Sequence, residues 1–337
     1  MHLTRRHLLS ACGVAGSALL LPAMPAAADP GPENWLDHLR ANREHFAAVV
    51  DDGKGRRFAH RPHERHLLAS AVKVVHLVGY DLAVRRGQVD AREPVRVGDW
   101  EQYYLPLDGG AHPQALRALD LECSNGFTAD DPNALVTLDD LASVMIRYSD
   151  NAATDYLLHR LGEPVVRTAA VRAGWPDAPI PSVLGHWLRI VLGREVDVRE
   201  YLDDPRLRLE VIGRLPDVPR EYERVRPLMH TTWRGTAAGL HRLHRTLDRF
   251  PRALSHLERG QVPPDGVAGI GLKGGSVPGV LTLGCRVRWQ DGRVGTAVVL
   301  VEEVDETWYG RAAGLVELVL DTLLDRAGPG LFQVGLS

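Results

Sequence analysis

His66-Leu67-Leu68-Ala69-Ser70-Ala71-Val72-Lys73-Val74-Val75-His76-Leu77-Val78 is an apolar segment with one hydroxyl and one amine three positions apart. Leu67, Leu68, Ala71, Val74, Val75 and Val78 recur at helical spacing, which predicts a helix beginning near His66. Residues three apart share a helix face, so Ser70 is set beside Lys73. A neutral amine there can take the hydroxyl proton as serine attacks a carbonyl. The chain has only three lysines against 37 arginines. Arginine covers the ordinary cationic roles and cannot give up its proton, whereas a desolvated lysine can. Each lysine is therefore a candidate for chemistry. Lys54 sits in the turn Asp52-Gly53-Lys54-Gly55 and is given no role.

Two further elements lie outward from this segment. Ser149-Asp150-Asn151 follows a predicted helix, Leu141 to Tyr148, whose start is marked by the capping run Thr137-Leu138-Asp139-Asp140. A second hydroxyl at Ser149 can relay a proton to a leaving nitrogen, and the Asn151 amide can hold Lys73 and a substrate carbonyl. Lys273-Gly274-Gly275 lies on a predicted strand, Gly269 to Lys273 and onward. Glycine inside a strand marks close approach of a ligand or another backbone. There the backbone N–H of Ser276, beside Gly275, pairs with that of Ser70 as a candidate oxyanion hole. Lys273 would hold a substrate carboxylate and depress the pKa of Lys73. Read singly, these elements are also a plain helix stop and a glycine-rich turn. Their joint occurrence, in order, is what points to acyl transfer.

The strand signals sit at both ends of the chain. Phe46-Ala47-Ala48-Val49-Val50 and Arg57-Phe58-Ala59-His60 flank a turn, and Cys285 to Trp289 and Thr296 to Val301 flank Asp291-Gly292. Helical signals run over Glu33 to Asn42, through the middle of the chain, from Thr231 or Thr232 to Leu247, and from Arg311 to Leu324. The expected fold class is α/β with two domains: an antiparallel sheet flanked by helices and built from both chain ends, residues 29–95 plus 230–337. An all-helical domain, residues 96–229, is inserted into it.

The formal net charge of −3 removes the case for nucleic-acid binding. Thr4-Arg5-Arg6-His7-Leu8-Leu9, an apolar stretch from Ala11 to Leu21, and Ala26-Ala27-Ala28 form a twin-arginine export signal over residues 1–28. The stretch is too short for a transmembrane anchor, so no stable membrane anchor is expected. Cys123 and Cys285 would remain after cleavage, either paired in an oxidising compartment or as two separate thiols. Neither His60, His63 and His66 nor His241 and His244 complete a zinc pattern, so no metal and no cofactor are expected.

At Ser70-Ala71-Val72-Lys73, Tyr148-Ser149-Asp150-Asn151-Ala152-Ala153-Thr154 and Leu272 to Leu281 the chain resembles the class A β-lactamase group of penicillin-recognising serine enzymes. The resemblance implies Ser70 as acylated nucleophile, Lys73 as base and Ser149 as proton shuttle. It implies Asn151, Lys273, Gly275 and Ser276 as substrate-binding positions, with Tyr104 at the cleft rim and Arg286 or Arg288 toward a substrate carboxylate. The implied substrate is a small β-lactam or a peptidoglycan-type molecule, and a monomer is expected. Two departures stand out. Gly274 replaces the usual Thr or Ser. Between about Trp175 and Asp204 only Glu195 and Glu200 are glutamates, and neither has the surroundings of the family's deacylating residue. The expected function is β-lactam hydrolysis through an acyl-enzyme. A D,D-peptidase, transpeptidase or esterase, or a sensor acylated without turnover, is the alternative.

Overall fold

The computed structural model describes residues 32–324 and Phe332. The segment expected to be an export signal, residues 1–28, lies outside the described residues. The run Phe46-Ala47-Ala48-Val49-Val50 forms strand β1 (Phe46–Asp51), and its period-two alternation feeds two separate cores. Phe46, Ala48 and Val50 pack on one side of the sheet, Ala47 and Val49 on the other. A strand apolar on both faces belongs inside a sheet covered on both sides. β1 accordingly lies between β2 (Arg57–His60) and β9 (Val294–Val301). With β8 (Val280–Trp289) and β7 (Val267–Val277) the sheet order is β2-β1-β9-β8-β7, and every neighbouring pair is antiparallel. The sheet thus draws its strands from both chain ends, as the sequence pattern predicts, and leaves β7 as an edge.

One face of the sheet is closed by the helices Pro32–Ala41 and Ala312–Leu323, whose Trp35, Leu39, Leu318 and Val319 meet Phe46, Val287 and Val299. The Trp35 indole N–H donates to the Arg311 carbonyl at 2.9 Å, tying the two helices' ends together. On the other face lies the larger core. Its axis is the helix Lys73–Arg85, buried from Lys73 to Ala83. Gly79 lets it sit close against the helix Glu163–Arg172: a Cβ there would come within 2.8 Å of Val166.

Two expectations are corrected. The helix predicted from His66 starts later, because Arg65–Leu67 is strand β3, paired with β6 (Arg234–Thr236). The Leu67 amide donates to Glu302 at 2.6 Å, so this short ribbon is anchored beside the sheet. For the same reason the helix predicted from Thr231 or Thr232 begins only at Ala237, capped by Thr236, whose hydroxyl accepts from the Gly239 amide at 3.0 Å. A second small ribbon pairs β4 (Pro94–Arg96) with β5 (Leu135–Thr137). It delivers Thr137 to the start of the helix Leu138–Arg147, where Thr137 and Asp140 close a reciprocal capping box.

Cys285 is buried among the outer-face side chains of β8 and Cys123 is only half-buried. Both are thiols, not a disulfide. Among the described residues no helix is long and apolar enough to cross a membrane.

Candidate active site

Ser70 sits in a 3-10 turn, Ala69–Val72, immediately before the central helix. Three contacts fix this turn. The Trp233 indole N–H donates to the Ala69 carbonyl at 2.8 Å, the Leu68 amide to the Trp233 carbonyl at 3.2 Å, and the Thr282 hydroxyl to the Leu68 carbonyl at 2.9 Å. Ala69 is held at φ 43°, a left-handed conformation that an alanine adopts only when its surroundings require it. The edge strand β7 runs against the turn. A Cβ on Gly275 would lie 2.4 Å from the Ser70 backbone nitrogen and 2.8 Å from that of Ala71, so only glycine permits this approach. Gly274 is different. Its nearest atom is the Thr282 carbonyl oxygen at 3.4 Å, and a side chain fits. Ser276 follows on the same strand, and its side chain hydrogen-bonds Tyr309.

Lys73 and Lys273 meet at Ser149. The Lys73 ammonium donates to the Ser149 carbonyl, to the Ser149 hydroxyl oxygen at 3.1 Å and to the Asn151 amide oxygen at 2.6 Å. Lys273 donates to the same hydroxyl oxygen at 3.2 Å and to the Gly274 carbonyl at 2.9 Å. Both amines are buried, at 0% and 4% exposure. Burial brings the Lys73 pKa down to about 8, against the opposing charges of Asp150, Asp155 and Asp108. Burial also holds Lys273 well below its usual value, and the Lys73 charge adds to this. An amine with a pKa near neutrality, beside a hydroxyl with two lone pairs, is suited to receiving a proton and passing it on.

Ser149 adopts φ 63°, and the network behind it shows what holds it there. Asp150 is fully buried and caps the helix Asn151–Leu161 by accepting from the Ala153 amide at 2.5 Å. It also accepts from the Trp100 indole at 3.2 Å and from His112 Nδ1 at 2.7 Å. His112 Nε2 faces Glu101 at 3.3 Å. With a carboxylate at each nitrogen, both must carry hydrogen, so His112 is an imidazolium. Burial opposes that charge, but Asp150 and Glu101 outweigh it and push the His112 pKa up to about 9. Tyr104 stacks on the same ring, with centroids 4.3 Å apart.

A cleft opens beside Ser70, lined by Leu107, Asp108, Asn151, His186, Trp187 and Trp233 among others. Tyr104, expected at its rim, is committed to His112 instead, and Leu107 and Asp108 line the cleft in its place. Arg286 and Arg288, expected toward a substrate carboxylate, are also corrected. Arg286 is buried, donating to the His244 carbonyl at 3.0 Å and to Asp248 at 2.5 Å, and Arg288 pairs with Glu258 at 2.9 Å. Glu195 is exposed and pairs with Arg189 at 3.5 Å; neither it nor Glu200 lines the cleft. Where a deacylating acid is sought, the structure has Asp155, four residues past Asn151. It is spent on the start of the helix Val183–Leu192, accepting from Ser182, Val183 and Leu184 at 2.5, 3.0 and 2.9 Å. His60 is bonded to the Arg43 carbonyl and His241 to Thr296, and no metal-holding cluster occurs among the described residues.

Of the residues expected from sequence, the structure brings Lys73, Asn151 and Lys273 to Ser149 and Gly275 to Ser70, with Ser276 next along the same strand. Sequence reading misses His112, Asp108, His186 and Trp233. These four are set by contacts between distant segments, and no local pattern marks them.

The beta-lactamase enzyme family matches the chain over residues 38–200. No curated protein matches it. Among solved structures, the β-lactamase from Sphaerobacter thermophilus DSM 20745 is 18% identical with a TM-score of 0.55, covering 87% of this chain and 97% of that one. A mutant of the class A β-lactamase of the last common ancestor of Gram-negative bacteria is 17% identical with a TM-score of 0.54, covering 88% and 97%. PBP-A is 16% identical with a TM-score of 0.52, covering 87% and 96%. At these identities the likeness is one of fold.

Proposed function

We propose that the chain is an exported β-lactamase-like serine hydrolase, acylated at Ser70 by β-lactams and related peptidoglycan-type amides; the beta-lactamase family match over residues 38–200 and the shared fold support this reading. The observation that carries this reading is the convergence of Lys73 and Lys273 on the Ser149 hydroxyl, at 3.1 and 3.2 Å, beside the Ser70 turn. In this account neutral Lys73 takes the Ser70 proton as Oγ bonds to the carbonyl carbon. The oxyanion is received by the backbone N–H groups of Ser70 and Ser276. The ring C–N bond breaks, and the proton passes from Lys73 through Ser149 to the leaving nitrogen. Lys273 faces the substrate carboxylate and Asn151 its side-chain amide, without the hydroxyl that Gly274 lacks. The twin-arginine segment supports export, and the chain would act as a monomer without a metal or cofactor.

A specific observation favours slow turnover. The one acid lining the cleft among the described residues is Asp108, whose oxygens accept from the Gly110 and His112 amides at 3.0 and 2.7 Å. Among the described residues no glutamate lines the cleft to activate water, so the acyl-enzyme is expected to persist, as in a penicillin-binding protein or D,D-peptidase. Intact mass followed over hours after one equivalent of benzylpenicillin tests this. A one-to-one adduct that remains supports it. An adduct that clears within seconds shows an efficient β-lactamase with another base.

A further inference from the structure

Among the described residues His186 is the one imidazole lining the cleft beside Ser70. Its Nδ1 lies 3.2 Å from the guanidinium of Arg189, one turn further along the helix Val183–Leu192. A guanidinium has donors only, so Nδ1 must accept, and the ring proton of the neutral imidazole is placed on Nε2. Arg189 is itself braced by the Thr231 hydroxyl at 2.8 Å and by Glu195 at 3.5 Å. Burial and then the Arg189 charge lower the His186 pKa to about 4, so the ring is neutral at ordinary pH. The Nε2 atom is buried and has no hydrogen-bond partner. An unmet buried donor is costly, and such sites call for a specific explanation. The walls around it are aromatic: Trp233 and Trp187 stand edge-on to the His186 ring at 5.8 and 6.0 Å.

A cleft walled by Leu107, Val183, Trp187 and Trp233, with the Asn151 amide at its Ser70 end and the His186 donor fixed by Arg189, is built to orient a largely apolar ligand that carries a hydrogen-bond acceptor. We propose that the cleft between the helix Val183–Leu192 and Trp233 is a recognition subsite for an aromatic or bulky apolar acyl group bearing a hydrogen-bond acceptor, and that His186 is the donor that reads the acceptor. The proposal deepens the acyl-transfer reading and rests on it for the position of the scissile bond. It also assigns Arg189 a role, as the residue that fixes the tautomer. In that tautomer Nε2 carries the proton, so His186 recognises an acceptor and does not serve as a water-activating base.

The test compares acylation rates with benzylpenicillin, which has an aromatic side chain and an amide carbonyl, and with 6-aminopenicillanic acid, which has the nucleus alone. The variants are His186→Phe, which keeps a planar ring without the donor, and His186→Gln, which restores an N–H donor. His186→Phe is expected to slow acylation by benzylpenicillin roughly ten- to a hundredfold. It should leave 6-aminopenicillanic acid unchanged, and His186→Gln should recover most of the loss. Equal losses on both compounds, or none on either, overturn the proposal. If the wild-type protein is acylated by neither, the acyl-transfer reading fails, and binding of phenylacetamide followed by ligand-observed NMR decides the subsite separately. Binding that His186→Phe weakens and His186→Gln retains upholds the subsite. Absent binding, or binding indifferent to both changes, overturns it.

Discussion

Lys73 is fully buried and donates to three oxygens, and burial sets its pKa near 8. Only the neutral amine can take the Ser70 proton. Raising the pH through about 8 increases that form, so the acylation rate with benzylpenicillin is expected to climb from pH 6 and level off above about 8. A rate flat from pH 6 to 9 contradicts Lys73 as base. Lys73→Arg, which keeps the charge but cannot lose its proton, is expected to abolish acylation. The two glycines of β7 give a sharper contrast. Gly275→Ala places a Cβ 2.4 Å from the Ser70 amide, so the turn must shift, and a displacement of about 1 Å at a reacting centre costs on the order of a hundredfold in rate. Gly274→Ala meets nothing closer than 3.4 Å and is expected to be acylated at close to the wild-type rate. Equal behaviour of the two variants removes the close-approach argument. Both lysines are legible in the sequence because lysine is so rare in it. His112 is not, because its partners Asp150 and Glu101 are 38 and 11 residues away, and only the fold makes it a cation.

At the level of elements, legibility follows the length of the pattern. The β1–β2 hairpin, the β8–β9 hairpin and the helix after Thr137 each carry a turn or cap signal beside a periodic run. The capping box at Thr137 is readable from Thr137-Leu138-Asp139-Asp140 alone, and it is present with both of its bonds, at 2.9 and 3.1 Å. Thr137→Ala is therefore expected to lower stability by about 1 kcal/mol, measured as a shift of the urea midpoint with unchanged m-value. No shift would mean that the β4–β5 ribbon holds the helix start without the cap. β3 and β6 escape the sequence because three residues cannot display a period. His66-Leu67-Leu68 reads as the first turn of a helix, while its burial comes from β6 and Glu302. The Val183–Leu192 helix is a further case. Its start depends on Asp155, and its role at the site depends on His186 facing Trp233. Ser182 caps its start, accepting from the Gly185 amide at 2.9 Å, but the Asp155 and Trp233 partners follow from no local pattern.

For the whole molecule, the sheet built from both chain ends is legible because apolar runs at the two ends share strand spacing and turn chemistry. The division of its two faces also follows from alternation along β1. The distribution of buried imidazoles is not legible, and it bears on stability. Burial lowers the pKa of His76 and His241 to about 4 and of His244 to about 3. Between pH 6.5 and about 4 the unfolded chain binds protons at these histidines that the native state refuses, so stability falls as pH falls through that window. Asp108 and Asp155, raised by burial to about 6, act in the opposite sense between 6 and 3.8. Asp150, whose carboxylate is held low against burial by His112, adds a further loss only below about pH 4. His76, His241, His244 and His186, the last also lowered to about 4, outweigh the two aspartates, and the melting temperature is expected to drop steadily from pH 6.5 to 4.5. A melting temperature that is constant or rises on acidification contradicts the neutral buried histidines. The central claim concerns one atom, Ser70 Oγ, and it is tested most directly by treating the purified protein with benzylpenicillin and mapping the adduct by peptide mass spectrometry. The account predicts one penicilloyl group per chain, on the peptide containing Ser70, and none in Ser70→Ala. An adduct on another residue, or the same adduct in Ser70→Ala, would contradict it.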